Sequence, residues 1–362
     1  MIIGIPKEVK NNEFRVGATP IGVAELVKNG HQVLIEKNAG AQIDFLDNDY
    51  RESGAKIVQN AKTIYQDSEM ILKVKEPQEE ECSMIKKGQI IFSYLHLAAE
   101  EKLTKNLLEK GCSAVAFETI TANDNSLPLL APMSEVAGKL SIQAGARALE
   151  RSQGGRGILL GGVPGVQRAN VLILGGGVAG TNAAKVAIGM GAHVTILDKS
   201  LTRIRYLCDI FGNSANILYS NQQNLISNLE KSDLVIGSVL IPGALAPKLV
   251  KKSDLKLMKK GAVIVDIAID QGGCCETSKP TTHSNPTFII NNIVHYCVTN
   301  MPGAVPRTST LALENATLPF ALEIANKGLK KALKENKHLA NGLNIHQGKI
   351  VHEEVAKSFN LK

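Results

Sequence analysis

Residues 170–200 read NVLILGGGVAGTNAAKVAIGMGAHVTILDKS, and their order decides the fold. Four apolar residues, Val171 to Leu174, form a short buried strand. Gly175, Gly177 and Gly180 follow at G-x-G-x-x-G spacing, a helical pattern runs from Ala179 to about Gly189, and a second strand, His193 to Leu197, ends in Asp198. A glycine triplet alone is weak evidence. Strand, glycines, helix, strand and acid in this order make a dinucleotide-binding fingerprint. Gly175 makes the tight turn, Gly177 lets the backbone approach a pyrophosphate, and Gly180 lets the helix pack closely on the strand. The helix start offers N–H groups and the positive end of its dipole to phosphates. Asp198 accepts hydrogen bonds from an adenosine ribose and repels a 2′-phosphate, which favours NAD over NADP. The competing reading is an ordinary βαβ unit with glycines at a turn, which would not require the acid where it falls.

The 362 residues are too many for one ordinary core and suit two domains. Composition is that of a globular protein, with 44% hydrophobic and 21% charged residues. No apolar run is long enough to span a bilayer, and MIIGIPKEVK lacks the features of a secretory signal, so a cytoplasmic protein without a membrane partner is expected. The net charge of +7 is carried partly by scattered lysine pairs such as Lys86–Lys87 and Lys330–Lys331, not by one tract. Aromatic residues are 4% of the chain and Trp is absent, so stacking platforms are scarce and nucleic acid is not expected as a partner. The six cysteines include no C-x-x-C pair and none at zinc-like spacing with histidine. Reduced thiols and no metal are expected.

The first part alternates strand and helix. Strands are expected at Met1–Ile5, His31–Ile35, Met70–Val74, Gln89–Ser93 and Ala114–Phe117. A helix begins at Thr19-Pro20, with Thr as N-cap and Pro at the first helical position, and ends at Gly30. This alternation argues for a parallel, doubly wound sheet. A long helical pattern from Ser134 to Arg151 precedes a glycine-rich connection, Gly154 to Val166. Beyond Asp198, strands are expected at Asn216–Leu218, Leu234–Ile236, Ala262–Ile267, Phe288–Ile290 and Val294–Cys297. NMPGAVPRTST then interrupts the pattern, and a helix from about Leu311 to Gly328 and a short basic helix follow. These C-terminal helices are expected to return to the first domain. The expected architecture is α/β: two Rossmann-like doubly wound domains with a cleft between them, the first one discontinuous.

In open α/β sheets ligands bind beyond the carboxyl ends of the strands, and that rule selects candidates. Asp270 lies just past the strand Ala262–Ile267, whereas Asp266 inside it reads as structural. A turn-forming Asp ahead of Gly272-Gly273 is the competing reading for Asp270. His96 follows the segment IIFSY, and imidazole gives or takes a proton near neutral pH. An ordinary loop histidine would occupy the same place. Arg15 follows the first strand and Lys75 follows MILKV, so two cations at strand ends can clamp a carboxylate. Singly, each reads equally well as a solvated surface charge.

These residues lie in GIPKEVKNNEFRVGATP, ILKVKEP, SYLHLAAE, APMSEVAGKLSIQAGA, LILGGGVAG, VDIAIDQGGCCETSKPTTH and VTNMPGAVPRTST. Through these segments the chain resembles, over essentially its full length, the alanine dehydrogenases. That family sits in a wider group with the NAD(H)-binding component of proton-translocating transhydrogenase. The resemblance implies reversible, NAD-dependent oxidative deamination of L-alanine to pyruvate and ammonium. It implies Arg15 and Lys75 on the substrate carboxylate, His96 as general acid/base, and Asp270 in support of water and amine chemistry. It further implies NAD contacts from Ser134, the loop of Gly175, Gly177, Val178, Ala179 and Gly180, Asp198, Arg203, Ser220, Val239, Leu240, Ile267, Asp270, Val298, Asn300 and Met301. It implies a substrate domain of residues 1–128 and 304–362, an NAD domain of 129–303, and a homohexamer. Position 203, which can be Lys in relatives, is Arg here.

Three other functions compete. A transhydrogenase component would pass hydride to a partner bearing NADP, a lysine-pathway reductase of the saccharopine type would share the architecture, and a non-catalytic NAD sensor would dispense with the polar cluster. Arg15, Lys75, His96 and Asp270 are all present, which argues against the sensor.

Overall fold

The computed structural model describes residues 1–239 and 245–359. They form two compact units, Met1–Met133 with Val305–Lys362, and Ser134–Ala304. In chain order the strands are β1 (Ile2–Ile5), β2 (Gln32–Glu36), β3 (Lys56–Val58), β4 (Met70–Leu72), β5 (Ile90–Ser93), β6 (Ser113–Ala116), β7 (Asn170–Leu174), β8 (His193–Asp198), β9 (Ala215–Tyr219), β10 (Leu234–Gly237), β11 (Val263–Asp266), β12 (Thr287–Ile290), β13 (Ile293–Tyr296), β14 (Leu343–His346) and β15 (Lys349–Ile350).

The first sheet has the order β15-β14-β6-β5-β4-β1-β2-β3. Strands β1 to β6 are mutually parallel, and β14 joins β6 antiparallel. The second sheet has the order β12-β13-β11-β10-β7-β8-β9, parallel except for the edge strand β12. Counting the mutually parallel strands alone, both sheets have the 3-2-1-4-5-6 order of a Rossmann-like fold. Each reverses its winding at one point, between β1 and β4 in the first and between β7 and β10 in the second. The runs IIGI and VLIL carry no polar alternation because both faces are covered. In β7, Val171 and Ile173 belong to one buried cluster and Leu172 and Leu174 to another.

The structure amends several sequence-based expectations. Strand β3 lies outside the expected strands; its KIV is only three residues, of which Lys56 is exposed and Val58 buried, so no pattern stands out. The hairpin of β14 and β15 was also missed. It closes on Gln347 and Gly348, both with positive φ (50° and 79°), the backbone that a two-residue hairpin requires. The long C-terminal helix begins at Pro306, not near Leu311, since proline at the first helical turn starts a helix instead of interrupting one. The helix expected from Ser134 spans Ala131–Ala148. Strand β11 ends at Asp266, so Asp270 lies in the following 3₁₀ turn, Ile267–Gln271.

Candidate functional site

In the second unit the winding reverses beside Gly175, whose φ of +94° makes the turn out of β7. Helix Val178–Gly189 starts at Gly177, and no side chain caps that start. Among the described residues a Cβ on Gly177 would meet nothing within 4 Å, whereas one on Gly180 would lie 1.9 Å from the Gly175 carbonyl oxygen and 2.8 Å from Ser238 Oγ. The first glycine therefore faces open space and the other is a close approach of helix to strand. Ser238, just past β10, donates to the carbonyls of Leu174 and Gly175 and holds the turn from the far side of the reversal, next to Val239.

Asp198 ends β8. Its Oδ2 accepts the Gly176 N–H and its Oδ1 the Ser200 N–H, each at 2.8 Å, which fixes the carboxylate at the rim of the turn. Each carboxylate oxygen has two acceptor positions, so capacity remains for ribose hydroxyls. Arg203 donates to the Gly176 carbonyl and to Thr181 Oγ1, and its guanidinium lies over the Tyr206 ring at 4.5 Å. Ser220 follows β9, and its N–H donates to the Asp198 carbonyl. Ser134 lies one turn before Gly138, whose would-be Cβ falls 2.1 Å from the Ala179 carbonyl oxygen, so its helix touches the start of the glycine-loop helix. Val298 and Met301 are buried, and Asn300 takes a positive φ of 59° while its carbonyl faces His283 Nε2. Ile267 is half-buried at the start of the 3₁₀ turn. Leu240 lies outside the described residues. The open backbone at Gly177, the uncapped helix start and the fixed Asp198 carboxylate fit a dinucleotide with an unphosphorylated ribose.

In the first unit the corresponding helix start is already filled. Helix Pro20–Lys28 follows β1, and the Glu314 carboxylate accepts the Thr19 N–H at 2.6 Å and the Thr19 hydroxyl at 2.5 Å. A Cβ on Gly22 would fall 2.0 Å from Glu314 Oε1. A resident carboxylate thus sits at the kind of helix start that the other unit leaves without a side-chain cap.

What the first unit gathers at its own reversal is a pair of cations. Arg15, on the loop after β1, is 2% exposed, and its Nε and Nη2 donate to Glu13 at 2.7 and 2.5 Å while Nη1 faces the Met133 sulfur at 3.2 Å. The side-on edge of the guanidinium, expected to grip a substrate carboxylate, is therefore taken by Glu13. Lys75 follows β4 and is half-buried. Burial lowers its pKa from the ordinary 10.5, and the Arg15 charge lowers it further. Among the described residues the Lys75 ammonium forms no ion pair. Two cations close enough to oppose each other, one of them outside any ion pair among the described residues, make a seat for an anion. His96, beyond the neighbouring β5, has its side chain 48% exposed and its ring stacked on Tyr94 at 6.0 Å. Its φ is +50°.

Carboxylates that no local sequence pattern singles out hold these groups. Glu118, just past β6, accepts the N–H of His96 at 2.6 Å and of Leu95 at 3.2 Å, and lies 4.0 Å from His96 Nδ1. Glu8 accepts the N–H groups of Val74 and Lys75. Lys73, fully buried, is shared between Glu8 at 3.1 Å and Glu81 at 2.7 Å, and Tyr65 donates to Glu81. Glu118 lies at a strand end, and Glu8 and Glu13 both precede Arg15 in the segment GIPKEVKNNEFRVGATP.

Asp270 is exposed on its 3₁₀ turn. Five of the six cysteines are buried and all are unbridged. Burial pushes the thiols of Cys82 up to about 11 and of Cys112 and Cys297 up to about 12, so they are not nucleophiles at neutral pH. Asp266, Cys274 and Cys275 have ligand-type atoms within 4.8 Å of one another. Yet the carboxylate already accepts backbone and hydroxyl donors, and the Cys275 contact followed by burial keeps the Cys274 thiol protonated. The cluster is a hydrogen-bonded knot.

Known proteins resemble the chain in sequence and fold. Models of the alanine dehydrogenase/PNT N-terminal and C-terminal domains match residues 4–137 and 141–353. An alanine dehydrogenase of Methanococcus maripaludis is 56% identical over 362 residues, covering 100% of this chain and 97% of the relative. A solved structure of L-alanine dehydrogenase superposes with a TM-score of 0.97 at 51% identity, covering 100% of both chains. A transhydrogenase structure from Sinorhizobium meliloti shares the fold, with a TM-score of 0.84 at 23% identity, covering 98% of this chain and 99% of that one. The chain belongs to the alanine dehydrogenase/PNT family.

Proposed function

We propose that the chain catalyses the reversible, NAD-dependent oxidative deamination of L-alanine, in which alanine, NAD and water give pyruvate, ammonium and NADH. The observation that carries this reading is the Arg15–Lys75 cation pair at the reversal of the first sheet, with His96 at the next strand end. Lys75 and Arg15 hold the amino-acid carboxylate. Glu13 keeps Arg15 ionised and oriented, since its hydrogen bond and charge oppose the burial that would otherwise disfavour the guanidinium. NAD, when bound by the Gly175–Gly180 loop, Asp198 and the other residues named for it, supplies the acceptor for the hydride that leaves Cα. His96 takes the proton from the water that adds to the substrate imine and returns it to the departing ammonia. Asp270 orients that water. Fixing the carboxylate and the imidazole relative to Cα lowers the barrier by restricting orientation, an effect on the order of several kcal/mol.

The test is NADH formation by the purified protein with alanine and NAD, with serine, glycine and lysine as comparators. Alanine-dependent NADH formation is expected, and its absence overturns the reading. A transhydrogenase component would be silent with alanine and would need an NADP-bearing partner. A homohexamer and a cytoplasmic setting belong to the same proposal. The six unbridged thiols support a reducing compartment, and light scattering on the purified protein tests the hexamer. Among the described residues no helix is long and apolar enough to cross a membrane.

A further inference from the structure

We infer that Asp266 is a positioning residue for Asp270, pinning both ends of the loop that presents it; this rests on the reading of Asp270 as part of the reaction. Asp266 is the last residue of β11 and is wholly buried. Its Oδ1 accepts the Ala268 N–H at 3.2 Å, where the chain leaves the strand. Its Oδ2 accepts the N–H groups of Cys274 at 2.8 Å and Cys275 at 3.3 Å and the Ser278 hydroxyl at 2.5 Å, where the chain returns. One carboxylate thus ties the outgoing and returning arms together, and Asp270 lies on the turn between them.

The surroundings are built around this carboxylate. A Cβ on Gly237, the last residue of the adjacent β10, would fall 2.9 Å from Asp266 Oδ1, and one on Gly273 would fall 2.7 Å from Oδ2. Gly273 also has a φ of +78°. The carbonyls on the returning arm meet a cation: the Lys248 ammonium donates to Gly272, to Gly273 at 2.9 Å and to Cys275 at 3.3 Å. The N–H groups of the arm therefore meet an anion and its carbonyls a cation. Among the described residues no ion pair is formed by Asp266, and aimed N–H and O–H dipoles face its carboxylate. That is costly as a packing device and effective as a means of fixing a loop. A side chain moved by about 1 Å at a reacting centre can cost about 100-fold in rate.

The experiment is a double-mutant cycle on the full-length protein, read as kcat and KM for alanine, NADH affinity by fluorescence, and thermal midpoint. Asp266→Asn sets an amide N–H₂ against backbone N–H donors and is expected to lower kcat about 100-fold with KM for alanine nearly unchanged. In an Asp270→Asn background the same change should cost little more, since its effect runs through Asp270. If Asp266→Asn does not fold, Ser278→Ala and Lys248→Met each remove one tether and should lower kcat about 2- to 10-fold, again only when Asp270 is present. Full additivity with Asp270→Asn, or a loss of thermal midpoint with kcat intact, overturns the positioning role. Wild-type protein inactive on alanine, or Asp270→Asn as active as wild type, instead overturns the underlying reading.

Discussion

Replacing Gly177 and Gly180 separately with alanine divides the two tasks of the glycine loop. At Gly177 the backbone has φ −64° and ψ −162°, which any residue adopts, and an added Cβ meets no atom of the described residues within 4 Å. Gly177→Ala should leave the thermal midpoint unchanged or slightly raised, because alanine restricts the unfolded chain by about 0.4–1 kcal/mol. The same methyl group projects into the space where a pyrophosphate approaches the helix start. Overpacking at a close contact costs about 1–3 kcal/mol, which weakens NADH binding about 5- to 150-fold. At Gly180 the added Cβ falls 1.9 Å from the Gly175 carbonyl oxygen, a backbone atom of the turn itself. Helix and strand must separate, so Gly180→Ala should lose about 1–3 kcal/mol of stability, seen as a fall of about 2–12 °C in the midpoint for a unit of this size. Thermal unfolding without cofactor and fluorescence titration with NADH read the two effects independently. A Gly177→Ala protein that binds NADH as tightly as wild type would refute the assignment of that open space to the pyrophosphate.

Because Lys75 has a lowered pKa, its ammonium is lost on raising pH before an ordinary lysine at 10.5 would lose its proton. Pyruvate affinity should therefore decline with rising pH below that value, and Lys75→Arg should remove the decline; affinity independent of pH up to about 10.5 in wild type would contradict an anion seat at Lys75. His96→Ala should lower kcat about 100- to 10,000-fold with NADH affinity retained, and stopped activity together with lost NADH binding would point to misfolding instead. Lys73→Met leaves Glu8 and Glu81 buried without their shared cation, and urea unfolding should show a loss of about 3–5 kcal/mol.

The doubly wound class was legible because its signals are local. Continuous apolar strands, N-capped helices and the glycine triplet each need only neighbouring residues, and strand ends then point to Arg15, Lys75, His96 and Asp270. Short elements escaped: β3 is three residues long, and the β14–β15 hairpin turns on Gln347–Gly348, which is not one of the usual Asn-Gly or Asp-Gly turn pairs. The carboxylates that hold the site escaped for a different reason. Glu118 is 22 positions from His96, Glu8 is 67 from Lys75, and Glu314 is 295 from Thr19. A carboxylate's partner is set by which strand ends the sheet order makes adjacent, and that order is a property of the folded sheet. Composition, periodicity and spacing thus determined the kind of sheet, the dinucleotide loop and the charged groups at strand ends. Only the tertiary structure decided that Glu13 occupies one edge of Arg15, that Lys75 forms no ion pair among the described residues, and that Asp266 ties down the loop of Asp270. Each of those depends on long-range contacts that no local pattern encodes.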